Sequence, residues 1–247
     1  MGYFPRRSIY GQLRSIEIYQ MKADPYKKSA NKYDTFVEPF NKALRQIGLK
    51  LHPPTEGLKV LDVGCGTGTT LQLYQKAGCI VSGIDSSPAM LKIAQEKLNN
   101  RAELLLSDAS EMQYPDDTFD LAIGMLTLHE MHENVRTKVL MEMMRVIKKE
   151  GRILIIDFHP CSIHFPKGWI YKAVIFFFEI TAGYEHFKNF RNFISRNGIP
   201  GLVELQSLTL EKVKIVGGGN LGLFVISVPC CLTLLIIHII LIESFII

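Results

Sequence analysis

Between residues 58 and 158 the chain alternates short, almost wholly apolar runs with amphipathic stretches of helical period. The runs are "LKVLDVG" (58–64), "CIVSGID" (79–85), "AELLLSD" (102–108), "FDLAIGM" (119–125) and "GRILIIDF" (151–158). Strands that read apolar throughout and are joined by helices predict a parallel sheet covered on both faces. The intervening helices are expected at 69–78, from Pro88 behind a Ser87 cap, and over 133–149, where Val135, Val139, Leu140, Met143, Val146 and Ile147 recur. A further helix is expected over 34–48, closed by Gly48. After a long insertion, "KVKIVGGGNLGLFVIS" reads as two strands about a Gly-Gly-Asn turn. The expectation is a doubly wound α/β domain whose mostly parallel, seven-stranded sheet ends in an antiparallel C-terminal hairpin.

In such a sheet a ligand sits beyond the C-terminal strand ends, near the switch in strand order. The polar residues that draw notice lie at those ends: Asp62 and the glycine turn, Asp85, Asp108, His129, and Asp157 with His159. The turn reads "VLDVGCGTG", with Gly64, Gly66 and Gly68 at alternate positions and Thr69 where a dinucleotide fingerprint would place its last glycine. No Gly-Lys-Ser/Thr follows, so a triphosphate loop is excluded as well. The glycines let backbone approach a ligand and are expected to present N–H groups at a helix start. A carboxylate at Asp62 suits an ammonium group. One at Asp85 suits the two hydroxyls of a ribose. Asp108 is placed to reach an adenine amino group. Taken singly, Asp85 or Asp108 also suits a turn cap, and Cys65 reads as a small residue rather than a nucleophile. An amino acid, a ribose and an adenine without phosphate together describe S-adenosylmethionine.

The segments "VLDVGCGTG", "GIDSSPAML", "LSDASEMQYPDDTFDLAI" and "GRILIIDF" resemble the Rossmann-like class I S-adenosylmethionine-dependent methyltransferases. Within these, the chain is similar to the ubiquinone and menaquinone C-methyltransferases and their small-molecule relatives, well over 26–160 and more loosely in the hairpin. The resemblance implies cofactor contacts from Asp62, Gly64, Cys65, Gly66 and Gly68. Asp85 with Ser86 would hold the ribose, Met90 would pack on the cofactor, and Asp108 with Ala109 would frame the adenine. Tyr33 in "NKYD" resembles a tyrosine that closes over the cofactor.

In-line displacement at a sulfonium requires no metal, and none is expected. Catalysis can come from aligning the acceptor and excluding water. His129 in "LTLHEMHE" follows the fourth strand and is the first candidate to orient the acceptor or remove its proton, the alternative being that it packs or caps a helix. Glu130, Asp157 and His159 rank behind it, and His132 is expected on an exposed helix start.

No Asn/Asp-Pro-Pro-aromatic element follows the fourth strand, and the net charge of +4 is mild, so a nucleic-acid acceptor is not expected. The insertion at 165–200 instead carries Trp169, Tyr171, Phe176, Phe177 and Phe178, then Phe187, Phe190 and Ile194 on one helical face. It reads as the cover of a small lipophilic acceptor such as a quinone precursor. A membrane-associated cofactor-binding protein without turnover is the alternative.

The first 25 residues read as a basic, solvated arm without the apolar stretch of a signal peptide. Five cysteines without a CxxC pair suit a reducing cytoplasm. The tail at 228–247 is apolar enough to suggest membrane association. A spanning helix takes about 20 apolar residues, however, and this stretch contains Pro229, His238 and Glu243.

Overall fold

The computed structural model describes Ala30, residues 38–160 and residues 162–228. Tyr33, the N-terminal arm and positions 229–247, with the expectations placed on them, lie outside the described residues.

Five parallel strands and an antiparallel pair form one sheet in the order β3-β2-β1-β4-β5-β7-β6. The strands are β1 (Lys59–Val63), β2 (Ile80–Asp85), β3 (Glu103–Leu106), β4 (Phe119–Met125), β5 (Ile147–Phe158), β6 (Thr209–Val216) and β7 (Leu221–Ser227). The helices are α1 (Glu38–Leu51), α2 (Thr69–Lys76), α3 (Pro88–Lys97), α4 (Glu133–Val146), α5 (Lys167–Thr181), α6 (Tyr184–Ser195) and α7 (Gly198–Leu205). The chain reverses direction across the sheet between β1 and β4, which puts the switch point beside the glycine turn.

The two-residue period of a strand divides the apolar side chains between two cores. Leu61, Val63, Ala122, Ile153 and Ile155 face one, closed by α4, α6 and α7 through residues such as Leu140, Phe193 and Leu202. Val60, Leu121, Ile123, Leu154 and Ile156 face the other, closed by α1, α2 and α3 through Leu44, Leu71 and Ala94. Because both faces are covered, the central strands carry apolar residues on both sides.

Two boundaries and one helical face differ from the sequence reading. Helix α1 runs through Gly48 to Leu51. A Cβ on Gly48 would come within 3.1 Å of Ile156 Cδ1, so this glycine permits close approach to the sheet rather than ending the helix. Helix α4 stops at Val146 instead of 149, because Ile147 turns extended to pair with Phe119. The chain then folds back at Gly151, where a Cβ would meet Ile147 Cγ2 at 2.7 Å, and rejoins the ladder at Arg152. In α6 the deepest aromatic is Phe193, outside the stripe expected from Phe187, Phe190 and Ile194.

The hairpin turn Gly217–Gly219 also seats the insertion. Gly168 in α5 touches it so closely that a Cβ there would lie 2.4 Å from the Gly218 carbonyl oxygen. Asn220 Nδ2 donates to the carbonyls of Gly168 and Gly217, both at 2.8 Å. Among the described residues no helix is long and apolar enough to cross a membrane.

Candidate active site

The glycine turn is built from its own backbone. Gly64 and Cys65 N–H groups donate to the Ile84 carbonyl at 2.8 and 3.1 Å, and Gly68 N–H donates to the Cys65 carbonyl at 2.9 Å. Gly66 N–H donates to Asp85 Oδ2 at 2.8 Å, while Asp85 Oδ1 accepts from Ser87 N–H at 2.8 Å. These N–H groups are therefore engaged within the protein, against the expectation that the turn would present them to a ligand. What the turn supplies is room. Gly66 has φ +51°, and a Cβ placed there would meet nothing within 4 Å. Gly64 and Gly68 are also left-handed, but a side chain at either would strike Thr127 or Ala94.

Asp62 lies in β1 just ahead of this turn, 2% exposed, and its Oδ1 has no hydrogen-bond partner. Burial pushes its carboxyl up to about 7; the Arg45 charge opposes that and the Asp85 charge adds to it. A buried, unpartnered carboxyl beside an open cradle fits a ligand carrying an ammonium group. Cys65 is buried, and burial together with the Asp85 and Asp62 charges holds its thiol well above the usual range. That removes it as a nucleophile at neutral pH.

The remaining expected cofactor residues lie along the same strand ends. Ser86 is exposed at the end of β2, and Met90 is 2% exposed in the first turn of α3. The Met90 N–H is capped by Ser87 Oγ at 3.1 Å. Asp108 Oδ1 accepts from Ser110 N–H at 2.9 Å, so it closes its own turn, and Ala109 is half-buried beside it.

His129 stands at the end of β4 in the segment that leads to α4. Its Nδ1 lies 2.7 Å from Asp157 Oδ1 at the end of β5. Asp157, with no exposed surface, also takes the Leu128 and His129 N–H groups on Oδ2 at 3.0 and 3.3 Å. One carboxylate thus shapes the backbone and orients the ring. Burial alone would lower the His129 pKa. The Asp157 charge and hydrogen bond, joined by Glu130 and Glu179, outweigh it and raise the value to about 9. Positive charge is favoured there at neutral pH, which makes His129 a poor proton acceptor.

The segment around His129 is clamped from the other side by Arg136, itself 1% exposed. Its Nε donates to the Leu128 carbonyl and Nη2 to the Met131 carbonyl, both at 2.8 Å. Nη1 reaches Asn192 Oδ1 at 3.3 Å, and the guanidinium lies 4.8 Å from the centre of the Phe193 ring. Asn189 Nδ2 donates to the Glu130 carbonyl at 2.8 Å. Phe158 and Phe190 meet the His129 ring edge-on.

The insertion contributes two polar groups that the sequence reading did not single out, Glu179 in α5 and His186 in α6. Glu179 Oε1 is 3.8 Å from His129 Nε2, and Glu179 Oε2 is 2.9 Å from His186 Nε2. The only signal in the sequence is a single acid following the Phe-Phe-Phe run. His159 is half-buried against Phe224, away from this cluster, and His132 is exposed ahead of α4.

Residues 60–151 match the family described as "Methyltransferase domain". The chain is 37% identical over 138 residues to a phosphatidylethanolamine N-methyltransferase of Cereibacter sphaeroides, an alignment covering 54% of this chain and 66% of that protein. It is 28% identical over 212 residues to a demethylmenaquinone methyltransferase of Bacillus cereus, covering 78% of this chain and 88% of that one. Its structure resembles the crystal structure of an S-adenosylmethionine-dependent methyltransferase from Aquifex aeolicus, with a TM-score of 0.58 and 26% identity over 84% of this chain and all of the other. Strand order, cradle and relatives agree: the chain belongs to the class I S-adenosylmethionine-dependent methyltransferases, and S-adenosylmethionine is its cofactor.

Proposed function

We propose that this methyltransferase acts on a small lipophilic acceptor, a quinone precursor or similar lipid, that reaches the cofactor beneath α5. The observation that carries the reading is the inverted character of that helix. Its buried residues are Gly168 and Glu179, whereas Trp169, Ile170, Tyr171, Val174, Phe177 and Phe178 are exposed. Water-facing helices ordinarily show the opposite division. A contiguous apolar surface of this kind marks a site for an apolar ligand or a lipid surface. The names of two relatives, for phosphatidylethanolamine and demethylmenaquinone, support the same class of acceptor.

In this reading the methyltransferase domain spans 26–227, and 165–200 covers the acceptor. The space over Gly66 takes the cofactor, Asp62 faces its ammonium group, and Asp85 with Ser86 holds the ribose. Met90, Asp108 and Ala109 border the adenine, and Gly64, Cys65 and Gly68 shape the turn by contact. Tyr33, which lies outside the described residues, would close over the bound cofactor. S-adenosylmethionine supplies a methyl group already activated by the sulfonium, so the protein's part is alignment and exclusion of water. His129 orients the acceptor and, with its positive charge favoured, is better suited to donating a hydrogen bond than to accepting a proton.

The test is incubation of the full-length protein with isotopically labelled cofactor and a lipid extract, with mass spectrometry of the products. Label is expected in an organic-phase product, more so when quinol precursors are added. Label confined to water-soluble products, or absent from every product, would overturn the proposal.

A further inference from the structure

We infer that His129, Glu179 and His186 form a binding site for a divalent transition-metal ion, zinc by the character of its donors. The three come from separate elements, the segment after β4, α5 and α6, yet one ligand atom from each lies within 4.8 Å of the others. Two imidazoles and one carboxylate make the donor set of catalytic zinc sites, which leave a further position open.

The detail of the contacts favours a cation over a simple hydrogen-bonded chain. Glu179 Oε2 is buried and has no hydrogen-bond partner, although His186 Nε2 is only 2.9 Å away. Two atoms that close without a hydrogen bond are not aligned for an N–H to point at the oxygen. Lone pairs directed to a common third point would look like this. On the other side, His129 Nε2 and Glu179 Oε1 are 3.8 Å apart, too far for a hydrogen bond. Donors about 2.1 Å from a tetrahedral ion are about 3.4 Å from each other, between these two separations.

The surroundings complete the pattern. A metal-binding imidazole ordinarily gives its other ring N–H to a carboxylate, which fixes the ring's direction. His129 Nδ1 meets Asp157 Oδ1 in this way at 2.7 Å, and Glu130 Oε2 lies 3.7 Å from His186 Nδ1. Three carboxylates around two imidazoles give the site a negative charge that favours a cation. The His129 and Glu179 side chains are almost fully buried, while His186 keeps 20% of its side chain exposed, so an ion can arrive from that edge. A bound ion would replace the Nε2 proton that the metal-free His129 carries, so the acceptor would meet the ion's open position instead of that proton; the site's existence is independent of which acceptor is methylated.

The test uses full-length protein with any affinity tag removed and metals stripped by a chelator. It is titrated with Co2+ as a visible probe and then with Zn2+. One equivalent of Co2+ is expected, showing the absorption of a low-symmetry centre without a thiolate charge-transfer band, and Zn2+ should displace it. His186→Gln and Glu179→Gln should each weaken Co2+ binding at least tenfold, while calorimetry shows each variant still binding S-adenosylmethionine. If Glu179→Gln no longer binds cofactor, the partly exposed His186→Gln decides alone. Failure to bind Co2+ stoichiometrically, a thiolate band, or undiminished binding in His186→Gln would overturn the inference. A protein that takes up the metal but methylates no lipid would leave this site standing and remove the acceptor proposal.

Discussion

Asp62 is a carboxyl that folding prefers to keep neutral. Its pKa of about 7 in the structure lies above the ordinary value of 3.8, and burial is the main cause. A raised pKa contributes stability that is fully present below about pH 4 and disappears as pH rises through about 7. Above that range the ligand-free protein carries a buried, ionised group at a cost on the order of 4 kcal/mol. Asp62→Asn should therefore raise the melting temperature of the ligand-free protein at about pH 8 and change it little at about pH 4. The cofactor's ammonium group favours the ionised form, so wild-type affinity should climb between about pH 5 and 7 and then level off. Calorimetry across that range would show a flat profile if Asp62 does not face the ammonium. For Asp85→Ala, loss of a charge-assisted contact predicts a cofactor affinity weaker by about 1.5–3 kcal/mol. Calorimetry on that variant checks the ribose assignment, and an unchanged affinity would contradict it. Asp62, Asp85 and the glycines were legible because strand ends follow from local periodicity. Glu179 and His186 were not. Their inward direction is fixed by how α5 and α6 dock, and nothing in the aromatic spacing around them conveys that.

Among elements, the segment between β4 and α4 shows how irregular backbone is held still. Asp157 takes its N–H groups from below, and Arg136 takes its carbonyls from the side. Arg136→Met would leave the Leu128 and Met131 carbonyls without these donors and is expected to lower stability by about 3 kcal/mol, measured by denaturant unfolding. The spacing of α4 did mark Val135 and Val139 as inward, but a sequence cannot distinguish a polar helix face that meets solvent from one that meets α6. Helix α5 presents the reverse difficulty. Its aromatic composition suited the cover of an acceptor without saying which side would pack, and among the described residues the structure leaves its aromatic side uncovered. Phe177→Ser with Phe178→Ser should raise the acceptor KM several-fold and reduce partition onto lipid vesicles, while cofactor affinity remains as in wild type. Loss of cofactor affinity in the same variant would point instead to a structural role.

At the scale of the molecule, the parallel core and the closing hairpin were read correctly because each depends on a pattern short enough to see. Apolar runs of five or six residues and a glycine-rich turn between two strands suffice. The path of residues 159–208 was not readable, since it depends on contacts with strands and helices far away in the chain. That path has a practical corollary. The stretch leaves the sheet after β5 and returns as β6, whereas the cradle belongs to β1 and β2. Its short fastenings are Asn189 to the Glu130 carbonyl, Asn192 to Glu133, and Asn220 to Gly168. Transplanting the corresponding stretch of another methyltransferase, with those partners retained, should yield a hybrid that keeps its appetite for S-adenosylmethionine and inherits the donor's choice of what to methylate.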